Sequence, residues 1–308
     1  MKRPKVSVIV PVYNTASYLE EAMDSIVNQT LKDIEVIVIN DGSTDNSMDI
    51  LTGYEDRLNL LILQKSNNGQ ASARNDGLDI AAGDYIYFLD SDDWIEPDTL
   101  QTCVDLCDRD NLDFAYFNAV SFHDKDGSVI DGIQWLDYHR TPGDHSIMTG
   151  AETLLRMVKA GKYRSSVCMS MFRRTFLTKN CIRFREGIIH EDELFSAIVY
   201  FNAEKVEGID REFYHRRVHD DSTMTRTFSK KNVDGYLTVT HDMRRFTRNN
   251  KDCQSAVHYL TNAIMLTLMQ NGWVLPFSQK LRIAGTVLFR YPRSFRFRPF
   301  MTLLFKRK

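Results

Sequence analysis

Short, dense apolar runs alternate with amphipathic stretches along the first part of the chain. Val6 to Val10, Ile34 to Ile39, Leu58 to Leu63 and Tyr85 to Leu89 are too brief for helices and predict strands, with Val6 to Val10 buried and Tyr85 to Leu89 covered on both faces. Between them the spacing turns helical. Leu19, Ala22, Met23, Ile26 and Val27 share one face of a helix from Tyr18 to Asn28. Thr44 or Asp45 suits the cap of a second helix running towards Tyr54, and Asn67-Asn68-Gly69 opens a third through Ala71, Ala73, Leu78 and Ala81. A fourth runs from Pro97 to Arg109, ahead of another apolar strand from Phe114 to Phe122. Strand and helix in such alternation predict a mostly parallel sheet with right-handed crossovers.

From His123 to Ser146 the periodicity fades into Asp, Gly and aromatic residues, which predicts a long loop or irregular hairpin of the kind that shapes specificity. Gly150 to Ala160 is helical and Ser165 to Phe172 extended. Gly187-Ile188-Ile189-His190 then leads into a helix that starts at Glu191-Asp192-Glu193 and continues through Ile198, Val199 and Phe201. Glu212 to Val218 reads as a strand, followed by His219-Asp220-Asp221-Ser222. The remainder from Lys231 is largely helical.

A chain of 308 residues accommodates one large domain or two modest ones. Its formal net charge of -2 hides a lopsided distribution. From Cys253 to Lys308 there is no Asp or Glu, against Lys280, Arg282, Arg290, Arg293, Arg296, Arg298, Lys306, Arg307 and Lys308, so the tail should face something anionic. Arg290 to Phe300 interleaves cations with aromatics, a pattern suited to an anionic membrane surface with rings at headgroup level. A solvated tail covering a helical core is the plainer alternative. Stacking on single strands lacks any RNA-binding signature, so no nucleic acid is expected. The five cysteines show no CxxC pair, which argues against a disulfide framework or a zinc cluster. Met1-Lys2-Arg3-Pro4 leads into a strand without a signal-peptide core, and no apolar run reaches the ~20 residues that span a bilayer. The expected location is cytoplasmic, with peripheral contact at the inner face of the plasma membrane if the tail binds lipid.

The candidate chemistry gathers where Tyr85 to Leu89 runs into Asp90-Ser91-Asp92-Asp93. Open α/β sheets bind ligands at the carboxyl ends of their strands. Carboxylates crowded into one turn repel unless a hard cation such as Mg²⁺ or Mn²⁺ sits among them. Alternatively, Asp92, Asp93 and Glu96 charge and cap the helix that starts near Pro97. The same choice arises at Glu191 and Asp192, because a helix start favours carboxylates through the macrodipole. Neither G-x-G-x-x-G nor G-x-x-x-x-G-K-[ST] occurs, which argues against an NAD enzyme or a P-loop NTPase.

Val8-Ile9-Val10-Pro11-Val12-Tyr13-Asn14, Asp41-Gly42-Ser43-Thr44-Asp45, Gly69, Ala73-Arg74-Asn75, Gly77, Gly83-Asp84-Tyr85 and Leu89-Asp90-Ser91-Asp92-Asp93 follow one another in that order. Together they closely resemble the nucleotide-sugar glycosyltransferases of family 2, which share the GT-A fold. The resemblance is thinner in the second half and rests there on Glu191-Asp192 and the Tyr214 to Ser222 segment. It implies an α/β chain of GT-A type, with a mostly parallel Rossmann-like sheet, flanking helices and, here, a helical C-terminal region. It also implies inverting, metal-dependent transfer of a sugar from a nucleotide donor, usually UDP-linked, onto a glycan or lipid-linked acceptor in surface polysaccharide synthesis.

By the same resemblance, Pro11, Val12, Tyr13 and Asn14 pack on the base, Asp41 accepts its hydrogen bonds, and Arg74 lies near the diphosphate. Asp90, Ser91 and Asp92 match the family's DxD motif, with Asp90 facing ribose or metal and Asp92 ligating Mn²⁺ or Mg²⁺. Asp192, paired with Glu191, takes the acceptor proton. His215, Arg217 and His219 fall where the family often places a basic or metal-facing residue; simple packing is the alternative for either histidine. A sugar nucleotidyltransferase would want a Gly-rich basic loop where this chain has Pro11 to Asn14, and a non-catalytic binding module would have no use for a base at Asp192. The expected division is a nucleotide-sugar-binding half over 1–122, an acceptor-binding half over 123–222 and a helical region with the basic tail over 223–308.

Overall fold

The structure is a computed structural model that describes residues 3–133, 136–141, 146–219, 227–247 and 251–306. Met1, Lys2, Asp220, Asp221, Ser222, Arg307, Lys308 and part of the stretch from His123 to Ser146 lie outside the described residues.

The strands β1 (Val6–Val12), β2 (Ile34–Asn40), β3 (Leu60–Gln64) and β4 (Tyr85–Phe88) are parallel and joined by α1 (Ala16–Val27), α2 (Ser47–Thr52) and α3 (Gln70–Ile80). β1 is buried along its whole length, which is why no polar alternation marks it. α3 lies tight against that strand. A Cβ on Gly77 would sit 2.4 Å from Ile9 Cγ2, so only glycine permits the approach.

The second half changes the pattern. β5 (Trp94–Ile95), α4 (Thr99–Asp110) and β6 (Phe114–His123) are followed by α5 (Gly150–Ala160), β7 (Ser170–Arg173), α6 (Arg174–Lys179), α7 (Glu191–Asn202) and β8 (Val206–Val218). β7 runs antiparallel between β4 and β6, while β8 is parallel to β6 and antiparallel to β5. The resulting eight-stranded sheet has the order β3-β2-β1-β4-β7-β6-β8-β5. It is mixed: parallel where β-α-β units build it, antiparallel where short strands are inserted. β5 is too short for periodicity to reveal. The first half of β8, Val206 to Arg211, carries Glu207, Gly208, Asp210 and Arg211 and so lacks an apolar run; its register against β6 slips at Asn118, between Ile209 and Tyr214. Within the loop after β6, bridges from Phe122 to Val129 and from Ala119 to Tyr138 fold the chain back over that strand as an irregular hairpin.

The Phe88 ring, at the end of β4, packs on Phe172, Phe184 and Phe195, and Phe184 stacks on Phe195 with centroids 4.0 Å apart. This cluster seats α7 against the tip of β4. Beyond the sheet come α8 (Lys230–Phe246), α9 (Lys251–Asn271), α10 (Phe277–Gly285) and α11 (Phe297–Phe305), with α9 lying against α5 and α11. Among the described residues, no helix is long and apolar enough to cross a membrane.

Candidate active site

Two strand-tip loops are tied together at one side of the crevice. Asn14 adopts a left-handed conformation (φ 53°) that lets its amide donate to Ser43 Oγ (3.1 Å) while its Oδ1 accepts from the Thr44 amide (2.8 Å). Asp45 does not sit at the cap position of α2, which falls to Asn46, but accepts from the Ser47 amide (3.1 Å) and from the Ala16 amide of α1 (2.9 Å). Pro11 and Val12 are buried beneath, and Tyr13 is 49 % exposed at the loop's crest. Asp41 is nearly sealed, with its two oxygens accepting from the amides of Asn68 (3.0 Å) and Gly69 (2.8 Å). It therefore pins the turn that opens α3, a function that the sequence did not reveal.

The acidic turn after β4 divides its carboxylates among different partners. Asp90 Oδ1 accepts from Gln70 Nε2 (2.9 Å) and Arg74 NH2 (2.6 Å). The Ser91 hydroxyl accepts from Thr15 Oγ1 (2.9 Å). Asp92 Oδ2 lies 3.2 Å from His219 Nε2. Asp93 is buried and accepts from the Tyr214 hydroxyl and from the Arg217 amide (2.7 Å). Burial, then the charges of Asp92 and Asp90, push the Asp93 carboxyl well above the ordinary range. Neither Asp92 nor Asp93 is the cap of α4, whose N-cap position is Asp98.

Arg74 joins this turn to the start of α7. Its guanidinium is 3 % exposed, bonded to Asp90, 3.6 Å from Glu191 Oε1 and set over the Phe184 ring at 5.2 Å. Burial works against the charge, and Asp90 foremost among its neighbours more than offsets it. The fork is thus engaged by carboxylates on the side of the acidic turn and the start of α7. Next to Glu191, Asp192 is reachable by solvent yet surrounded by protein, as at the floor of a cleft. Burial, reinforced by Glu191 and Glu193, holds its carboxyl well above the ordinary range against the opposing pull of Arg74 and the Glu193 amide (2.9 Å). Before it, His190 takes a left-handed backbone (φ 68°), stacks on Tyr236 at 3.8 Å and accepts from Asn232 Nδ2 (3.3 Å). Burial lowers its pKa to about 4, so it is neutral at physiological pH.

The two histidines of β8 and its exit part company. His219 stands beside Asp92, but His215 stacks on Trp94 at 3.5 Å and pairs with Glu96 Oε1 at 2.7 Å. His215 is a packed residue, which corrects the expectation of a metal contact. Arg217 donates from Nε to the Asp92 carbonyl (3.0 Å), pairs with Asp124 (2.8 Å) and Glu21, and packs on Tyr18 and Phe122. Sequence reasoning missed Arg216. It lies over the Tyr138 ring at 5.1 Å with a buried NH1 that has no partner among the described residues, and burial of its charge is outweighed by Tyr138, Asp93, Tyr214 and Asp92. Strand alternation is the signal that points to it: Tyr214 and Arg216 share one face of β8, and His215 and Arg217 the other.

Among the described residues, no three His, Cys, Asp or Glu side chains cluster closely enough to hold a metal ion unaided. Asp92 and His219 offer a two-ligand face, and Asp90 Oδ2 is uncommitted in the same turn among the described residues. Mg²⁺ commonly takes one or two carboxylates and completes its shell with phosphate oxygens and water. The donor set therefore fits a cation held jointly with a diphosphate, and does not fit a protein-only cage.

The sequence model of glycosyl transferase family 2 matches residues 7–179. The Bacillus subtilis (strain 168) protein EpsH, provisionally named a glycosyltransferase, is 31% identical over an alignment spanning 93% of this chain and 84% of its own length. Chondroitin synthase of Pasteurella multocida (strain Pm70) is 30% identical across 79% of this chain, which is 23% of that larger enzyme. Among solved structures, S. aureus TarS 1-349 in complex with UDP-GlcNAc shares the fold with a TM-score of 0.73 over 97% of this chain and 90% of that one, at 22% identity.

Proposed function

The chain belongs to glycosyl transferase family 2 and is a nucleotide-sugar transferase, and on that premise we propose an inverting, metal-dependent enzyme that uses a UDP-sugar. The observation that carries the mechanism is the Asp90–Arg74–Glu191 bridge, which ties the acidic turn to the helix start bearing Asp192. The UDP moiety would lie between the Pro11–Asn14 loop and Asp41, at the carboxyl ends of β1 and β2 where open α/β sheets bind ligands; a relative by fold holds UDP-GlcNAc. Asp92, with His219 beside it, would hold Mn²⁺ or Mg²⁺ together with the diphosphate. Such a cation stabilises negative charge on the departing diphosphate.

Asp192 accepts the proton of the acceptor hydroxyl as that oxygen attacks the anomeric carbon from the face opposite the diphosphate. A carboxyl lifted above its ordinary range is a stronger base than a free one, which suits the task. Arg216, set over the Tyr138 ring, feels the charges of Asp93 and Asp92, and Tyr138 those of Asp192 and Asp93. Residues 1–122 bind the donor, 123–222 face the acceptor, and the helices of 223–308 complete the chain. The acceptor is a glycan or a lipid-linked glycan in surface polysaccharide assembly, made in the cytoplasm at the inner face of the plasma membrane; chondroitin synthase is a polysaccharide-forming relative.

The test is release of UDP from UDP-sugars with Mn²⁺, in the presence and absence of EDTA, for parent and variants. Asp192→Asn should retain UDP-sugar binding and lose transfer by about 10²–10⁴-fold, the usual worth of a general base. Asp92→Ala should weaken metal-dependent donor binding itself. Full transfer activity in Asp192→Asn overturns the base assignment.

A further inference from the structure

Two stripes of apolar side chains stand unpartnered on the C-terminal helices. Phe277, Leu281 and Leu288 follow one another at helical spacing along α10 and its continuation, and Phe297, Met301 and Phe305 do so along α11; all six are exposed. The opposite sides are packed. Ile283 and Leu303 close on the same point, such that a Cβ on Gly272 would meet them at 2.7 and 2.8 Å. The two helices therefore share a floor and turn their apolar stripes away from it. Phe289, 86 % exposed, and Phe297, 66 % exposed, are larger apolar surfaces than a water-facing tail has reason to keep.

Arginines flank both rings. Arg290 follows Phe289 and Arg296 precedes Phe297, and Arg290, Arg293 and Arg298 pair with no carboxylate among the described residues. Arg244, Arg290, Arg293 and His258 line a cavity of about 730 Å³ between α8, α9 and the turn before α11, and no acidic residue among the described residues lines it. Thr261, buried in its wall, has a hydroxyl without a hydrogen-bond partner among the described residues. A cavity of unopposed guanidiniums with an unused hydroxyl matches a phosphate group in charge and in hydrogen bonding.

We infer that this face docks on an anionic phospholipid bilayer, with Phe289 and the two stripes in the acyl boundary and a lipid phosphate in the Arg244–Arg290–Arg293 cavity. Charge selects the partner: the chain from Cys253 onward carries no Asp or Glu, so an anionic surface is attracted and a second copy of this face repelled. The inference deepens the membrane-side location proposed for the enzyme, but stands on the C-terminal helices and is read by lipid binding, not by transfer.

Flotation of the full chain with phosphatidylglycerol-containing vesicles, against vesicles of phosphatidylcholine alone, tests it. The parent should float with the anionic vesicles only. Replacing Arg290 and Arg293 by alanine should weaken binding about fivefold for each arginine, an effect that fades at high salt. Phe289→Ser with Phe297→Ser should weaken it by about tenfold and remain visible at high salt. All four side chains are exposed, so melting curves of the variants should coincide with the parent's and separate lost docking from lost folding. No flotation of the parent, or equal flotation of parent and variants, overturns the proposal. So does sedimentation showing a dimer abolished by the same serine substitutions in a chain that does not float.

Discussion

Arg74→Met removes the one charge that links the acidic turn to α7 while keeping a side chain long enough to pack on Phe184. Arg74 is 3 % exposed and bonded to Asp90 at 2.6 Å, with Glu191 at 3.6 Å. Deleting one member of a sealed ion pair costs about 3–5 kcal/mol because its partner stays charged in a poor solvent. Here Asp90 is 28 % exposed and water recovers part of that loss, so a destabilisation of about 2–4 kcal/mol is expected. For a chain of this length that corresponds to a fall of about 3–6 °C in the melting temperature. Arg74→Lys should recover only part, since an ammonium cannot address two carboxylates as a planar fork does.

Stability alone would not distinguish a positioning residue from a packing one, and the pH profile of kcat does. Arg74 opposes the upward shift of Asp192, so without it Asp192 holds its proton to a still higher pH. The acid limb of the profile should therefore move to higher pH in Arg74→Met and stay near its parental position in Arg74→Lys. A methionine variant that melts within about 0.5 kcal/mol of the parent and keeps the parental pH profile would refute the bridge.

Two further outcomes follow from the same geometry. His219→Ala should raise the Mn²⁺ concentration needed for a UDP-induced thermal shift by about 10–100-fold, whereas His215→Ala should leave that titration unchanged; equal effects would contradict the separation of the two histidines. Asp192→Asn should melt at a higher temperature than the parent near neutral pH. The raised carboxyl keeps its proton in the folded chain to a higher pH than in the unfolded one, so the parent loses stability as pH rises above the ordinary value of 3.8. The variant's advantage should therefore shrink as pH falls towards 3.8, and a difference in melting temperature that does not vary with pH would show that Asp192 carries no such penalty.

What the sequence makes legible is what depends on neighbours along the chain. β1 to β4 and the helices between them follow from apolar spacing, because a parallel strand reads as a short, nearly continuous apolar run, even in the half-exposed edge strand β3, and a crossover helix needs one apolar stripe. The acidic turn is legible for the same reason, as carboxylates within four residues announce themselves. The site's wiring is not. Asp93 meets Tyr214, Glu96 meets His215 and Arg74 meets Glu191 across the fold, contacts set by β5 crossing to pair with β8 and by the Phe88–Phe184–Phe195 cluster.

A histidine near a DxD motif in sequence has no reason to be near it in space unless the facing of its strand is known. β8 turns His215 towards Trp94 and Glu96 and carries Arg216 to the other face. His219 reaches Asp92 because it stands past the end of that strand, where alternation no longer governs direction. Selecting metal ligands in β8 therefore requires the register against β5, and a two-residue strand leaves no periodic trace from which that register could be deduced.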